Sequence, residues 1–444
     1  MRRLYANGWI VACDEARSEY PSGWVLVEDG RIAALGEGAE PAADERVDVA
    51  GAVVTPGLVN THHHLYQALT RARAQEADLF AWLRELYPVW GRLDAEAEHA
   101  AARPGLAELA LSGCSTVFDH HYVFPRGQAG IVEAEVQAAR ELGLRIVAAR
   151  GCMDLGESAG GLPPDALVEE LDDILAETER LAHELHEQGA GARVQIAVAP
   201  CSPFSASRRL MQESAELARR LGLVLHTHLA ETAEEEAYCL ELYGSTPVEY
   251  LTGLGWLGED VWCAHCVHLS ESDVADFAAS RTGVAHCPSS NLRLGAGLAP
   301  VRELLDAGVR VGLGVDGAAS NERGDLLLEA RQALLVARGR GGPAAMSARE
   351  ALLLATRGGA AVLRRDDLGS LEPGTCADLA VWPVDELALA GAGDPVAGLL
   401  LSAPHRVDRL IVGGEEVVRG GELLRVDERE LARELRAQAR RFAA

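Results

Sequence analysis

Eight short runs of apolar, largely β-branched residues recur through the middle of the chain, with amphipathic helical stretches between most of them. The runs are AVVTPGLVN (52–60), STVFDH (115–120), RIVAAR (145–150), VQIAVAP (194–200), LVLHTH (223–228), VWCAH (261–265), GVAHC (283–287) and RVGLGVD (310–316). Helical periodicity fills 134–144, 164–188, 207–222 and 301–309. Strands this apolar are buried on both faces, and parallel strands need long crossovers that helices supply. Eight β/α units within about 270 residues predict an α/β fold, a TIM (β/α)8 barrel.

The two ends follow a different rule. Residues 1–51 contain the alternating segment WVLVEDGRIAALGEG, with Asp29-Gly30 as its turn, and 368–425 repeat the style in LGSLEPGTCADLAVW and RVDRLIVGGEEVVRGGELL. These segments predict one small β-sandwich domain built from both termini, flanking a barrel domain over 52–367. Residues 426–444 read as a terminal helix with Asp427 as N-cap. The long stretch 65–110 carries Phe80, Trp82, Tyr87 and Trp90 and predicts a helical lid.

Chemistry in a TIM barrel sits at the C-terminal ends of the strands. Here those ends carry His62, His64, His228, His265 and Asp316. His62 and His64, two apart on extended chain, face one side and can reach one point. Three of these imidazoles with the carboxylate leave an open coordination position, the pattern of one catalytic divalent metal ion. GLGVDG formally matches a dinucleotide-binding glycine pattern, but it comes late in the chain rather than opening a βαβ unit.

Composition narrows the options. The chain has 41 Arg, no Lys, and 67 acidic residues, a net charge of −26. Without lysine there is no P-loop, no Schiff base and no carboxylated-lysine bridge to a second ion. The negative surface argues against nucleic-acid and anionic-membrane partners. The nine cysteines are scattered through apolar runs rather than spaced as a disulfide framework. No membrane span and no signal peptide are read, so a cytoplasmic location is expected.

PGLVNTHHH, HTHLAET, AHCVHL, HCPSSN, GVDGAASN and the closing LGSLEPGTCADLAVW resemble the amidohydrolase superfamily, in the branch of aminohydrolases acting on cyclic amidines. The resemblance implies a distorted barrel with a β-sandwich from both termini. It makes His62, His64, His228 and Asp316 the metal ligands, Glu231 the proton shuttle and His265 the histidine that polarises the attacking water. Zinc is the first choice of ion, with iron(II) the alternative. THHHLYQALTRA, LFAWLRELYPVW, SGCSTVFDHHYVFP, DLGESAGGLPP and APCSPFS are similar to the 8-oxoguanine deaminases of that branch, and an s-triazine or pterin hydrolase is the alternative. The expected partner is therefore a small heterocycle, and the family implies a homo-oligomer. Gln67, Cys201 and Arg150 are candidates for reading the substrate's edges. His63, His120, His121, His268 and His286 are expected to support ligands rather than bind metal.

Overall fold

The computed structural model describes residues 1–403 and 405–443. Eight parallel strands close a barrel: β1 (Leu58–Asn60), β2 (Cys114–His121), β3 (Arg145–Cys152), β4 (Val194–Pro200), β5 (Val224–Leu229), β6 (Val261–His265), β7 (Gly283–His286) and β8 (Val311–Leu313). Seven of the predicted runs are single strands. The run 52–60 is two: Ala52–Pro56 pairs antiparallel with Leu379–Pro383 and parallel with Arg2–Val11, and only Leu58–Asn60 enters the barrel. All nine residues are buried, so hydrophobicity alone could not separate the two sheets. Gly57 makes the break, where an added Cβ would lie 2.5 Å from Ser115 Oγ.

The barrel has a seam. β8 pairs with β1 only at Leu313 opposite Asn60. Beyond it the contact continues irregularly, from Thr61 N–H to the Leu313 carbonyl (2.8 Å), Val315 N–H to Asn60 Oδ1 (2.9 Å) and Asp316 N–H to the His62 carbonyl (3.1 Å).

The termini form a nine-stranded mixed sheet. Asp29 and Gly30 turn its hairpin with φ of 49° and 76°, the left-handed pair that a two-residue turn of this kind requires. Tyr5, Ile10, Val25 and Ile32 pack with Leu379, Val381 and Ile411 in its core. Arg145, at the start of β3, joins this sheet to the barrel through both oxygens of Asp378, at 2.8 and 3.0 Å, with both side chains buried. Removing one partner of such a pair strands a buried charge. Asp378→Ala is therefore expected to destabilise the protein by about 3–5 kcal/mol, read as a lowered denaturation midpoint; an unchanged midpoint would refute this.

The predicted lid is helical. α1 (Leu79–Trp90) starts at Asp78, whose carboxylate accepts the Ala81 N–H, and α2 (Ala95–Leu111) starts likewise at Asp94. Trp82, Leu83, Leu86, Tyr87 and Trp90 pack with Tyr66, Phe204 and Phe442 in one cluster. The terminal helix runs Glu428–Arg441 with Asp427 as its N-cap, and it delivers Phe442 to that cluster. Ala444, the last residue of the predicted helix, and Pro404, within 368–425, lie outside the described residues. The nine cysteines are free and buried, and no helix among the described residues is long and apolar enough to cross a membrane.

Candidate active site

The seam and the neighbouring strand ends bring the predicted residues together in a buried cluster. Ligand atoms of His62, His64, His120 and His228 lie within 4.8 Å of one another, as do those of His62, His265 and Asp316. The hydrogen-bond partners decide which nitrogen of each ring is bare. His64 Nδ1 faces the His120 carbonyl (2.7 Å) and His228 Nδ1 faces the Cys201 carbonyl (2.6 Å), so both carry hydrogen there and leave Nε2 as a lone pair. His226 Nδ1 donates to the Trp262 carbonyl (3.0 Å), so its Nε2 accepts from His62 Nδ1 (2.9 Å), and His62 Nε2 is bare as well.

These bare nitrogens converge. His64 Nε2 and His228 Nε2 are 3.1 Å apart, and Asp316 Oδ1 stands 3.3 Å from His64 Nε2 and 3.5 Å from His62 Nε2. His62 Nε2 has no hydrogen-bond partner. Lone pairs crowded this closely repel unless a cation lies among them, so the donor set fits a divalent ion. Burial, reinforced by the neighbouring imidazoles, holds His62 and His228 well below the usual histidine range; burial brings His64 to about 4 despite Asp316. Neutral imidazole is the form that binds metal.

Asp316 is the most constrained residue of the cluster. Its Oδ2 accepts from Ser290 Oγ (2.5 Å) and Ser320 Oγ (3.0 Å), and its Oδ1 from the Gly317 N–H (2.7 Å). Burial alone would raise its pKa, but His64, His265 and Ser290 together bring it to about 2. Asp316, His265 and Ala230 all adopt positive φ, at 64°, 70° and 50°. Such strain in non-glycine residues clusters where geometry serves function.

His265 Nδ1 donates to Asn291 Oδ1 (2.9 Å), which turns Nε2 towards Glu231 Oε2, 3.6 Å away. Burial raises the Glu231 carboxyl to about 7, against the attraction of His265. Glu235 fixes the turn that carries Glu231 by accepting the Ala230 and Glu231 N–H groups at 2.9 and 2.8 Å.

Sequence reasoning assigned no role to His226, Ser290, Asn291, Ser320 or Glu235. His226 had a readable signal, since it stands two residues before His228 and shares its face of the strand. Ser290 and Asn291 lie in HCPSSN and Ser320 in GVDGAASN, motifs that do not show what these side chains touch, and no local pattern announces the contacts of Glu235.

Above the cluster is a small pocket, roofed by Leu79, Trp82, Leu83 and Tyr87 and walled by Tyr122, Phe204 and Leu294. Gln67 and Cys201 line it. Gln67 Oε1 is buried without a partner, and a Cβ on Gly317 would strike it at 2.0 Å, so glycine there makes its room. The Cys201 thiol is pushed by burial up to about 12 and stays protonated.

Arg150 corrects an expectation: it is not in the pocket. β3 alternates, with Ala149 in the barrel interior and Arg150 directed outward. Its guanidinium pairs with Glu169 at 2.7 and 3.0 Å and lies 3.9 Å over the Phe124 ring, in a separate surface groove. Arg150→Met is expected to lower the denaturation midpoint while leaving kcat and KM at the wild-type level. A rise in KM of about tenfold would return Arg150 to the pocket.

Comparison with known proteins agrees with this geometry. Residues 53–417 match the model of the amidohydrolase family. The chain is 50% identical to an 8-oxoguanine deaminase of Pseudomonas aeruginosa over 398 residues, 88% of this chain and 89% of the relative. It is 39% identical to an isoxanthopterin deaminase of an unknown prokaryotic organism, over 97% of this chain and 96% of that one. The crystal structure of an atrazine chlorohydrolase from Arthrobacter aurescens complexed with zinc superposes with a TM-score of 0.94 at 33% identity, covering 98% of this chain and 100% of the other. With its closed parallel barrel and its convergent imidazoles, the chain belongs to the amidohydrolase family, as a divalent-metal hydrolase of C–N bonds in cyclic amidines.

Proposed function

We propose that the protein deaminates 8-oxoguanine, adding water at C2 and releasing ammonia to leave uric acid. The observation that carries this choice is the half-identity, over most of both chains, with the 8-oxoguanine deaminase. The pocket supports it in two ways. Its lining contains no arginine, so it suits a neutral ligand rather than a phosphate or carboxylate. Its walls are aromatic and aliphatic, which suits a flat ring.

His62, His64, His228 and Asp316 would hold the ion. A divalent ion there supplies the Lewis acidity that makes water a usable nucleophile near neutral pH. Asp316 and His265 orient that water and take its proton. Glu231, whose buried carboxyl titrates at about 7, gives a proton to the ring nitrogen beside C2 and then helps the amine leave. The new C–O bond replaces the broken C–N bond; of the water's two protons, one leaves with ammonia and the other stays on the ring nitrogen beside C2. Gln67 Oε1 accepts a ring N–H and fixes the orientation.

Steady-state kinetics on 8-oxoguanine, guanine, isoxanthopterin and an amino-s-triazine with the metal-replete protein test this reading. Highest kcat/KM on 8-oxoguanine supports it. Highest kcat/KM on the triazine or the pterin would overturn the substrate and leave the metal chemistry in place.

A further inference from the structure

A second group of buried ligands lies outside the barrel wall. Along β2, Phe118 faces the barrel interior, and so does His120, whose ring stacks on His228. The alternate residues Asp119 and His121 face the helices. There they meet Glu98 of α2 and Glu135 of α3 (Ile131–Leu142), and the ligand atoms of all four lie within 4.8 Å of one another. All four side chains are fully buried.

The group lacks what a buried acid cluster needs. Both oxygens of Glu98, both of Glu135 and Oδ2 of Asp119 have no hydrogen-bond partner. Among the described residues the imidazoles that approach these carboxylates are His121, 3.3 Å from Glu98, and His63, 3.9 Å from Asp119 and kept neutral by burial. His63 comes from the loop after β1, and its Nδ1 is buried and unpartnered, directed at the cluster from outside it. His121 Nε2 faces the Val123 carbonyl at 2.8 Å and so carries hydrogen, which turns Nδ1 towards the carboxylates; burial opposes protonation while Glu98 and Asp119 favour it, and the neutral ring presents Nδ1 there as a lone pair. His64 and His228 use the same device, a backbone carbonyl on the far nitrogen that turns the bare one towards an ion.

We propose that Glu98, Asp119, His121 and Glu135 form a second cation site, for a divalent ion of the manganese or zinc class, that is structural rather than catalytic. Three carboxylates and one imidazole are donors that such ions accept. A doubly charged ion offsets two of the three buried negative charges, whose burial is otherwise costly. Burial raises Asp119 to about 7 and Glu135 well above the carboxylate range, and the neighbouring carboxylates add to both shifts. The ion would tie β2 to α2 and α3. It would also brace the metal-binding loop, because Asp119 Oδ1 accepts the N–H of Leu65, next to His64, at 2.7 Å.

The test is a titration of chelator-stripped protein with Mn(II), read by calorimetry and by electron paramagnetic resonance. Wild type is expected to take two ions per chain and the Glu98→Gln/Glu135→Gln variant one, with a rise in wild-type thermal midpoint as the second equivalent binds. Two ions in both proteins would overturn the assignment by placing the second ion elsewhere. The wild-type titration decides the matter even if the variant does not fold. One ion per wild-type chain would overturn the proposal outright, and a midpoint that then fell as pH rose through 7 would identify carboxyls held by shared protons instead, since groups with raised pKa lose their stabilising proton in that direction.

Discussion

His228→Ala is expected to lose both the ion and the turnover, whereas Glu231→Gln keeps the ion and loses about 10²–10⁴ in kcat. The contrast follows from position. His228 Nε2 sits 3.1 Å from His64 Nε2 and faces the same point in the barrel mouth, so deleting the imidazole leaves an incomplete shell. Glu231 points instead at His265, and its amide replacement keeps size and shape while removing the proton that must move. Elemental analysis and steady-state kinetics on the two variants separate the cases. Near wild-type turnover by Glu231→Gln would withdraw the shuttle assignment, and full metal content in His228→Ala would withdraw the ligand.

The second large effect concerns the oxygen at C8. If the pocket is built for 8-oxoguanine, it should disfavour guanine by about 10²-fold or more in kcat/KM, since each buried polar group left unpaired costs about 1–3 kcal/mol. The candidates to read the ring's oxo and amide edges are present. Gln67 Oε1 and the Tyr87 hydroxyl are buried without partners at the pocket, and Cys201 lines it. A hydroxyl or thiol can donate to an oxo group, and the amide oxygen can accept from a ring N–H. Comparable turnover of guanine and 8-oxoguanine would mean that the pocket positions any planar amidine by the edge facing the cluster.

The barrel and its histidines were legible because both follow from periodicity. Strand ends fall where the apolar runs stop, and polar residues at those stops have few structural reasons to exist. His62, His64, His228, His265 and Asp316 were found this way, and the structure brings all five together. Legibility failed where sequence distance hides contact. The split at Gly57 was invisible because a strand buried in either sheet has the same composition. Arg150 was misplaced because a residue at a strand end can face inward or outward, and only the phase of the alternation, fixed by Ala149, decides. Ser290 and Ser320 orient Asp316 from 26 and 4 residues away. Glu98 and Glu135 carry no local mark that separates them from the other acids of their helices, although neither is exposed at all.

The seam between β8 and β1 gives the catalytic ion a topological role. The two strands share one register pair, yet His62 and His64 follow the first strand and Asp316 follows the last. An ion held by these three would act as a clasp across the least stitched part of the cylinder, joining points about 250 residues apart along the chain. The ion that serves the chemistry would then also fasten the first stave of the barrel to the last.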